Sequence, residues 1–231
     1  MKTYSNIDEC VLGGLDAPCF QKLLPEEIAL VKESKTQVQF RKGESMTKQG
    51  AFATTVLFVV DGLVRQYIIG DTKRDFNLRI ISSGEFIGLS AAFSKHTYDY
   101  STVALKDTLA CLIEKDAMAG LIKSNGGFAY GLINRYYEND SSLYDTIRSM
   151  MYKQMHGRLA DVLLYLSAIQ YNKESIFTCL SRKEIADFAG LSTESTVKLL
   201  KTLEKDGLIR LHEKDIDIID AEALIEISKR G

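Results

Sequence analysis

The stretch LSRKEIADFAGLSTESTVKLLKTLEKDGLI, Leu180 to Ile209, reads as two short helices about a tight turn, with an exit at Gly207. Ser181, with Glu184 three residues on, forms a capping box in which two otherwise orphaned amides are satisfied. Ile185, Ala186 and Ala189 make an inner face, and the small Ala186 lets two helices cross closely. Gly190 stands where the turn needs a positive φ, Leu191 plugs the core from the turn, and Ser192 caps the second helix. Thr196, Leu199, Leu200 and Leu203 line the inner side of that helix, where the Thr196 hydroxyl needs a partner. A plain helical hairpin does not require small residue, glycine and apolar plug at these offsets. The spacing predicts a DNA-binding helix-turn-helix.

The outward face of the second helix then carries Thr193, Glu194, Ser195, Lys198 and Lys201. Residues near the start of such a helix reach base edges in the major groove. Thr193, Glu194 and Lys198 are the predicted base contacts: Glu194 can accept from a cytosine amino group and Lys198 can donate to guanine. Ser181, Arg182, Ser195 and Lys201 are predicted to meet phosphates, which set affinity and register without carrying sequence. The alternative for each lysine is an ordinary solvated charge.

Working outward, GRLADVLLYLSAI (157–169) repeats its leucines on one helical face, and LIRLHEKDIDIID reads as two alternating strands around Glu213 and Lys214. Helix, helix-turn-helix and hairpin in that order make a winged helix, assigned to residues 156–231. Upstream, Ala129, Leu132/Ile133, Tyr136, Leu143, Ile147 and Met150 recur at helical steps along a segment set at 125–155. The stripe is narrow, like a coiled-coil seam, and longer than one small barrel can cover; it predicts a homodimer paired through residues 126–155. Asn139 and Asp140 interrupt it, either as a register-fixing polar step or as a solvated kink. Further upstream, PEEIALVKES opens a helix at Pro25. Then VQFRKG, VLFVVDG, LVRQYIIG, FNLRIISSG and STVALKDTLACLI are short apolar runs between glycines, the mark of antiparallel strands in a sandwich or barrel within residues 1–124.

Composition narrows the partners. The chain has 231 residues and a net charge of −2, and the part from Gly157 onward holds 11 Lys and Arg against 13 Asp and Glu. DNA contact must therefore come from a local patch. No apolar run approaches the roughly 20 residues a membrane span requires, and MKTYSNIDEC lacks a signal-peptide core, so a cytoplasmic protein without membrane attachment is expected. Cys10, Cys19, Cys111 and Cys179 lack the close spacing of a zinc or iron–sulfur site. No metal and no cofactor are predicted. His96, His156 and His212 are too scattered for a metal-dependent barrel enzyme of the cupin kind, and no catalytic residues suggest themselves. That enzyme, and a signalling module without DNA binding, remain the rival readings.

With these elements in order the chain resembles the cyclic-AMP receptor protein/FNR (CRP/FNR) family of bacterial transcription regulators. The resemblance is carried by FRKGESMTKQG, LFVVDGLVRQY and SGEFIGL, then by HGRLADVLLYL and SRKEIADFAGLSTESTVKLLKTLEKDGLI. It implies an α+β chain: a double-stranded β-helix (jelly-roll) barrel that senses an effector, a long dimerisation helix and a winged helix-turn-helix. It also implies double-stranded DNA with two-fold-related half-sites as the partner, and RNA polymerase as a candidate second partner.

Three departures from the family pattern matter. Relatives that bind cyclic nucleotide follow a Gly-Glu pair, here Gly84 and Glu85, with Arg-Ser or Arg-Thr; this chain has Tyr98 and Asp99. A cyclic phosphate needs a charge-assisted donor, and Asp99 would repel it unless Lys95 or an arginine elsewhere compensates. The effector is therefore expected not to be cyclic AMP. Gly84, Glu85, Tyr98, Asp99, Tyr100, Tyr136, Leu143 and Tyr144 form the candidate effector pocket, although the tyrosines read in the first place as interface and core packing. Many relatives also carry an arginine just before the reading-helix glutamate and another four residues after it; Thr193 and Lys198 replace them, which implies a different operator.

Overall fold

The structure, a computed structural model, describes residues 2–4, 20–70, 75–93 and 96–231, with Lys2–Tyr4, Asn139 and Asp140 described in backbone only. Cys10, Cys19, Lys95 and the side-chain roles considered for Asn139 and Asp140 lie outside what is described. The chain divides into two compact bodies, Met1–Ile69 with Arg79–Asp140, and Gly70–Leu78 with Ser141–Gly231.

The first body is a pair of antiparallel sheets. Strands β1 (Lys2–Tyr4), β2 (Lys35–Phe40), β4 (Thr55–Asp61), β7 (Phe86–Ile87) and β9 (Thr108–Glu114) form one, in the order β1-β2-β9-β4-β7. The other runs β3-β8-β5-β6 and contains β3 (Ser45–Thr47), β5 (Leu63–Ile69), β8 (Ser101–Ala104) and β6 (Asp75–Ser82), of which Arg79–Ser82 belong to this body. STVALKDTLACLI is thus two strands, not one, broken at Leu105–Asp107. The run TVLFVVD becomes β4, flanked by β9 and β7; Val56 to Val60 are all buried, as a continuous apolar run in a sheet centre requires.

One side of this sheet is closed by helices. Phe20 packs edge-on against Phe58 at 4.9 Å between centroids and lies 5.9 Å from Phe128. Pro25–Glu33 forms α1, opened by Pro at the first position as the sequence predicts. Lys115–Ser124 forms α2, which the sequence reading left unassigned; it seats Met118 and Leu121 in the same core.

Helix α3, Gly126–Tyr152, has 27 residues and so extends about 40 Å. Its apolar positions do not share one face. Phe128 and Leu132 are buried in the barrel core, whereas Tyr130, Ile133, Tyr136, Tyr137, Leu143, Tyr144, Ile147 and Met151 are 40–73% exposed. The helix therefore has one stripe for its own barrel and another left bare.

The second body is built on α4 (Met155–Ser167), α5 (Arg182–Ala189), α6 (Thr193–Lys205), the hairpin β12 (Ile209–Leu211) with β13 (Ile216–Ile218), and α7 (Ala221–Arg230). Helix α4 buries Leu159, Val162, Leu163 and Leu166 and ends at Ser167, two residues before the predicted limit. The wing pairs Ile209 with Ile218 and Leu211 with Ile216 around Glu213 and Lys214. Two elements escaped the sequence reading. A small hairpin, β10 (Gln170–Tyr171) with β11 (Glu174–Ser175), turns on Asn172 and Lys173 at φ 49° and 62°. Helix α7, capped by Asp220, covers α4. Asp161 of α4 accepts hydrogen bonds from Ser149 (2.6 Å), Lys153 (2.9 Å) and Ser228 (2.5 Å), joining α3, α4 and α7.

Candidate nucleic-acid interface

The helix-turn-helix is held by the contacts its sequence calls for. The Glu184 amide donates to Ser181 Oγ (3.2 Å) and the Ser181 amide donates to Glu184 Oε2 (2.7 Å). Ala186 and Ala189 are fully buried. Gly190 adopts φ +62° and ψ 31°, a left-handed conformation that L side chains strain to reach, and the Leu191 amide then donates to the Ala186 carbonyl at 3.0 Å. Ser192 caps α6 by accepting from the Ser195 amide at 3.0 Å. Thr196, fully buried, donates its hydroxyl to the Ser192 carbonyl at 3.0 Å, which supplies the partner its position demands.

Thr193, Glu194, Lys198 and Lys201 are exposed on α6, so the predicted base-contacting side chains face solvent together. Glu194 lies in the first turn, where the helix dipole favours a carboxylate. The four candidate phosphate residues are less alike. Ser181 and Ser195 are engaged locally, Ser195 Oγ accepting from Ser192 Oγ at 2.8 Å. Arg182 donates through Nη2 to the wing carbonyls of His212 (3.2 Å) and Asp215 (3.5 Å). Burial there lowers its guanidinium pKa from the usual arginine value, opposed by nearby Asp215. Arg182 thus braces the wing against α5, a role hidden from the sequence because its partners are main-chain atoms thirty residues away. Asp187 is a further surprise: it is buried on the inner side of α5, and Lys183 pairs with it at 2.7 Å.

In the barrel, several of the candidate effector residues are engaged with the protein's own groups. Both carboxylate oxygens of Glu85 are occupied, one by the Ser82 amide at 2.8 Å and the other by the Arg79 guanidinium. Arg79 also donates Nε to Gln66 at 3.0 Å. The Tyr98 ring lies against Gly88, where a Cβ would come within 2.5 Å of it, and its hydroxyl donates to the Thr55 carbonyl at 2.8 Å. The Tyr100 hydroxyl accepts from the Gly88 amide at 2.9 Å, and burial pushes its pKa up to about 12. Asp99 is exposed, and Gly84 takes φ +85°. Tyr136, Leu143 and Tyr144 are exposed on α3, and the last two belong to the second body. Sequence reasoning also missed Arg79 and Arg135; Arg135 reaches within 3.8 Å of a Cβ position on Gly84, and its Nη1 is buried without a hydrogen bond among the described residues.

A barrel of antiparallel strands, a long helix and a winged helix-turn-helix, in that order, make the architecture of a DNA-binding regulator. Residues 37–125 match the model of the cyclic nucleotide-binding domain, and residues 157–227 match that of the Crp-like helix-turn-helix domain. The chain belongs to the CRP/FNR family of transcription regulators. It is 30% identical over 152 residues to the transcriptional regulatory protein btr of Bordetella pertussis, a match that spans 62% of this chain and 61% of that protein. It is 26% identical to the cyclic AMP receptor protein of Thermus thermophilus over 92% of this chain and 97% of the relative. A regulator of the crp/fnr family from Eubacterium rectale shares the fold with a TM-score of 0.74 at 20% identity, covering 92% of this chain and 98% of that one. These relatives are transcription regulators, not enzymes, so the cupin-like reading is set aside. Among the described residues no helix is long and apolar enough to cross a membrane.

Proposed function

We propose that the chain works in the cytoplasm as a homodimer, paired through residues 126–155, that binds DNA sites of two-fold symmetry. The observation that carries this reading is the joint exposure of Thr193, Glu194 and Lys198 on a capped helix whose inner face is wholly packed. Glu194 and Lys198 read base edges, with Thr193 beside them; Ser181, Arg182, Ser195 and Lys201 meet phosphates. Residues 1–124 act as sensor, 125–155 as pairing helix and 156–231 as reader, with RNA polymerase as the partner when the DNA-bound dimer activates transcription.

The barrel senses an effector other than cyclic AMP near Gly84, Glu85, Tyr98, Asp99 and Tyr100, with Tyr136, Leu143 and Tyr144 along the helix that relays the signal. Three observations support this: Glu85 is already held by Arg79, the Tyr98 ring occupies the space over Gly88, and Asp99 presents a like charge to a phosphate.

Selection of bound duplex from a random pool, with and without cell extract, tests the whole. An inverted repeat with half-sites about one helical turn apart is expected. Failure to enrich any sequence, or enrichment of a single asymmetric site, would overturn it.

A further inference from the structure

Met150 lies at the end of α3 with its sulfur against the turn of the reader. A Cβ on Gly190 would stand 2.9 Å from Met150 Sδ and 3.6 Å from its Cε. Arg158 of α4 donates Nη1 to the same sulfur at 3.7 Å, a weak acceptor for a guanidinium, while its Nε is buried with no hydrogen bond among the described residues. Met150 also lines a cavity of about 370 Å³ together with Leu78, Ser149, Tyr165 and Phe188. Thioether, under-satisfied donor, glycine turn and access route therefore meet at one point.

We propose that Met150 is a site of reversible oxidation by hydroperoxides, through which oxidant lowers the affinity of the regulator for DNA. The sulfur lone pair attacks the distal peroxide oxygen; an S–O bond forms, the O–O bond breaks, and the leaving oxygen takes the proton. Sulfur loses two electrons, and the peroxide is reduced to water or an alcohol. The new oxygen is a strong acceptor beside Arg158, so the product gains the partner that the thioether cannot supply. It is also larger and polar, and it forms where the sulfur already touches the Gly190 turn, so the apolar contact between α3 and the reader is lost. The input bypasses the barrel. It rests on the DNA-binding reading only in that its readout is DNA binding.

The test treats the full-length protein with hydrogen peroxide, then dithiothreitol to reverse thiol oxidation. Modification is mapped by peptide mass spectrometry, and affinity for a selected duplex is measured by anisotropy. Met118, fully buried, and Met151 and Met155, 69% and 45% exposed, are internal references. Expected are a 16 Da gain at Met150, an affinity loss of about tenfold, and recovery on adding methionine sulfoxide reductases. Met150→Leu keeps an apolar side chain of similar size, and its DNA affinity, measured before peroxide, should not change on peroxide treatment. The proposal is overturned if Met150 stays reduced while Met151 and Met155 oxidise, if its sulfoxide leaves affinity unchanged, or if Met150→Leu remains equally peroxide-sensitive. Absence of DNA binding before peroxide would instead sink the DNA-binding reading itself.

Discussion

The Thr196 hydroxyl donates to the Ser192 carbonyl at 3.0 Å, inside a helix face that excludes water. That carbonyl also accepts from the Thr196 amide at 3.0 Å, so it keeps a partner when the hydroxyl is removed. Thr196→Val should therefore change stability by less than about 1 kcal/mol and leave DNA affinity intact, whereas Thr196→Ala should cost more through lost packing. Urea denaturation of both variants measures the difference.

Glu194→Ala combined with Lys198→Ala should abolish sequence-specific binding while the fold and oligomeric state persist, since both side chains are exposed. Each lost base contact is worth about 1–3 kcal/mol of discrimination. Unchanged affinity for a selected operator would remove α6 from its assigned role.

Ile133→Glu with Ile147→Glu places two charges on the bare stripe of α3, where the parent side chains are 64% and 45% exposed. Sedimentation should show a folded monomer, and operator affinity should collapse with the loss of the second reader. A dimer that survives both charges would relocate the pairing surface.

Arg79→Ala leaves Glu85 with the Ser82 amide but no counter-charge in a site where both partners are largely covered. A loss of about 2–3 kcal/mol is expected in chemical denaturation. Cyclic AMP at millimolar concentration should not raise the thermal midpoint of the parent protein; a rise of several degrees would show that the Tyr98–Asp99 segment accepts a phosphate after all.

Tyr100 gives a pH signature. Its pKa rises from 10.0 to about 12 in the folded chain, chiefly through burial, so the folded state retains the proton that the unfolded state releases. That contribution is whole below pH 10 and is lost as pH climbs to about 12. Tyr100→Phe should flatten the fall in stability over this window; an identical fall in parent and variant would assign it to other groups.

The reader was legible because its constraints are local. Cap, small residue, glycine and plug all fall within twelve residues, and each is tied to one backbone requirement. The barrel strands were legible from apolar runs between turns. Elements that depend on distant partners were not. The bracing of the wing by Arg182 was invisible because the carbonyls it holds, His212 and Asp215, are remote in sequence. The pairing of Glu85 was hidden because Arg79 reads as one more polar residue in an alternating strand. Helix α7 was missed because AEALIEISKR follows a strand pattern without a glycine or proline to mark the change, its start signalled only by Asp220.

Ile133, Tyr137, Tyr144 and Met151 stand bare on a single copy of the chain. Once such surface is buried between copies, stability becomes linked to concentration, and the folded lifetime of each molecule rises with the number of its own kind in the cell. For the proposed dimer, synthesis rate would then be an input in its own right: below a threshold of abundance the reading helices would lose their partner and the chain would become prey for proteases, whatever the state of the barrel.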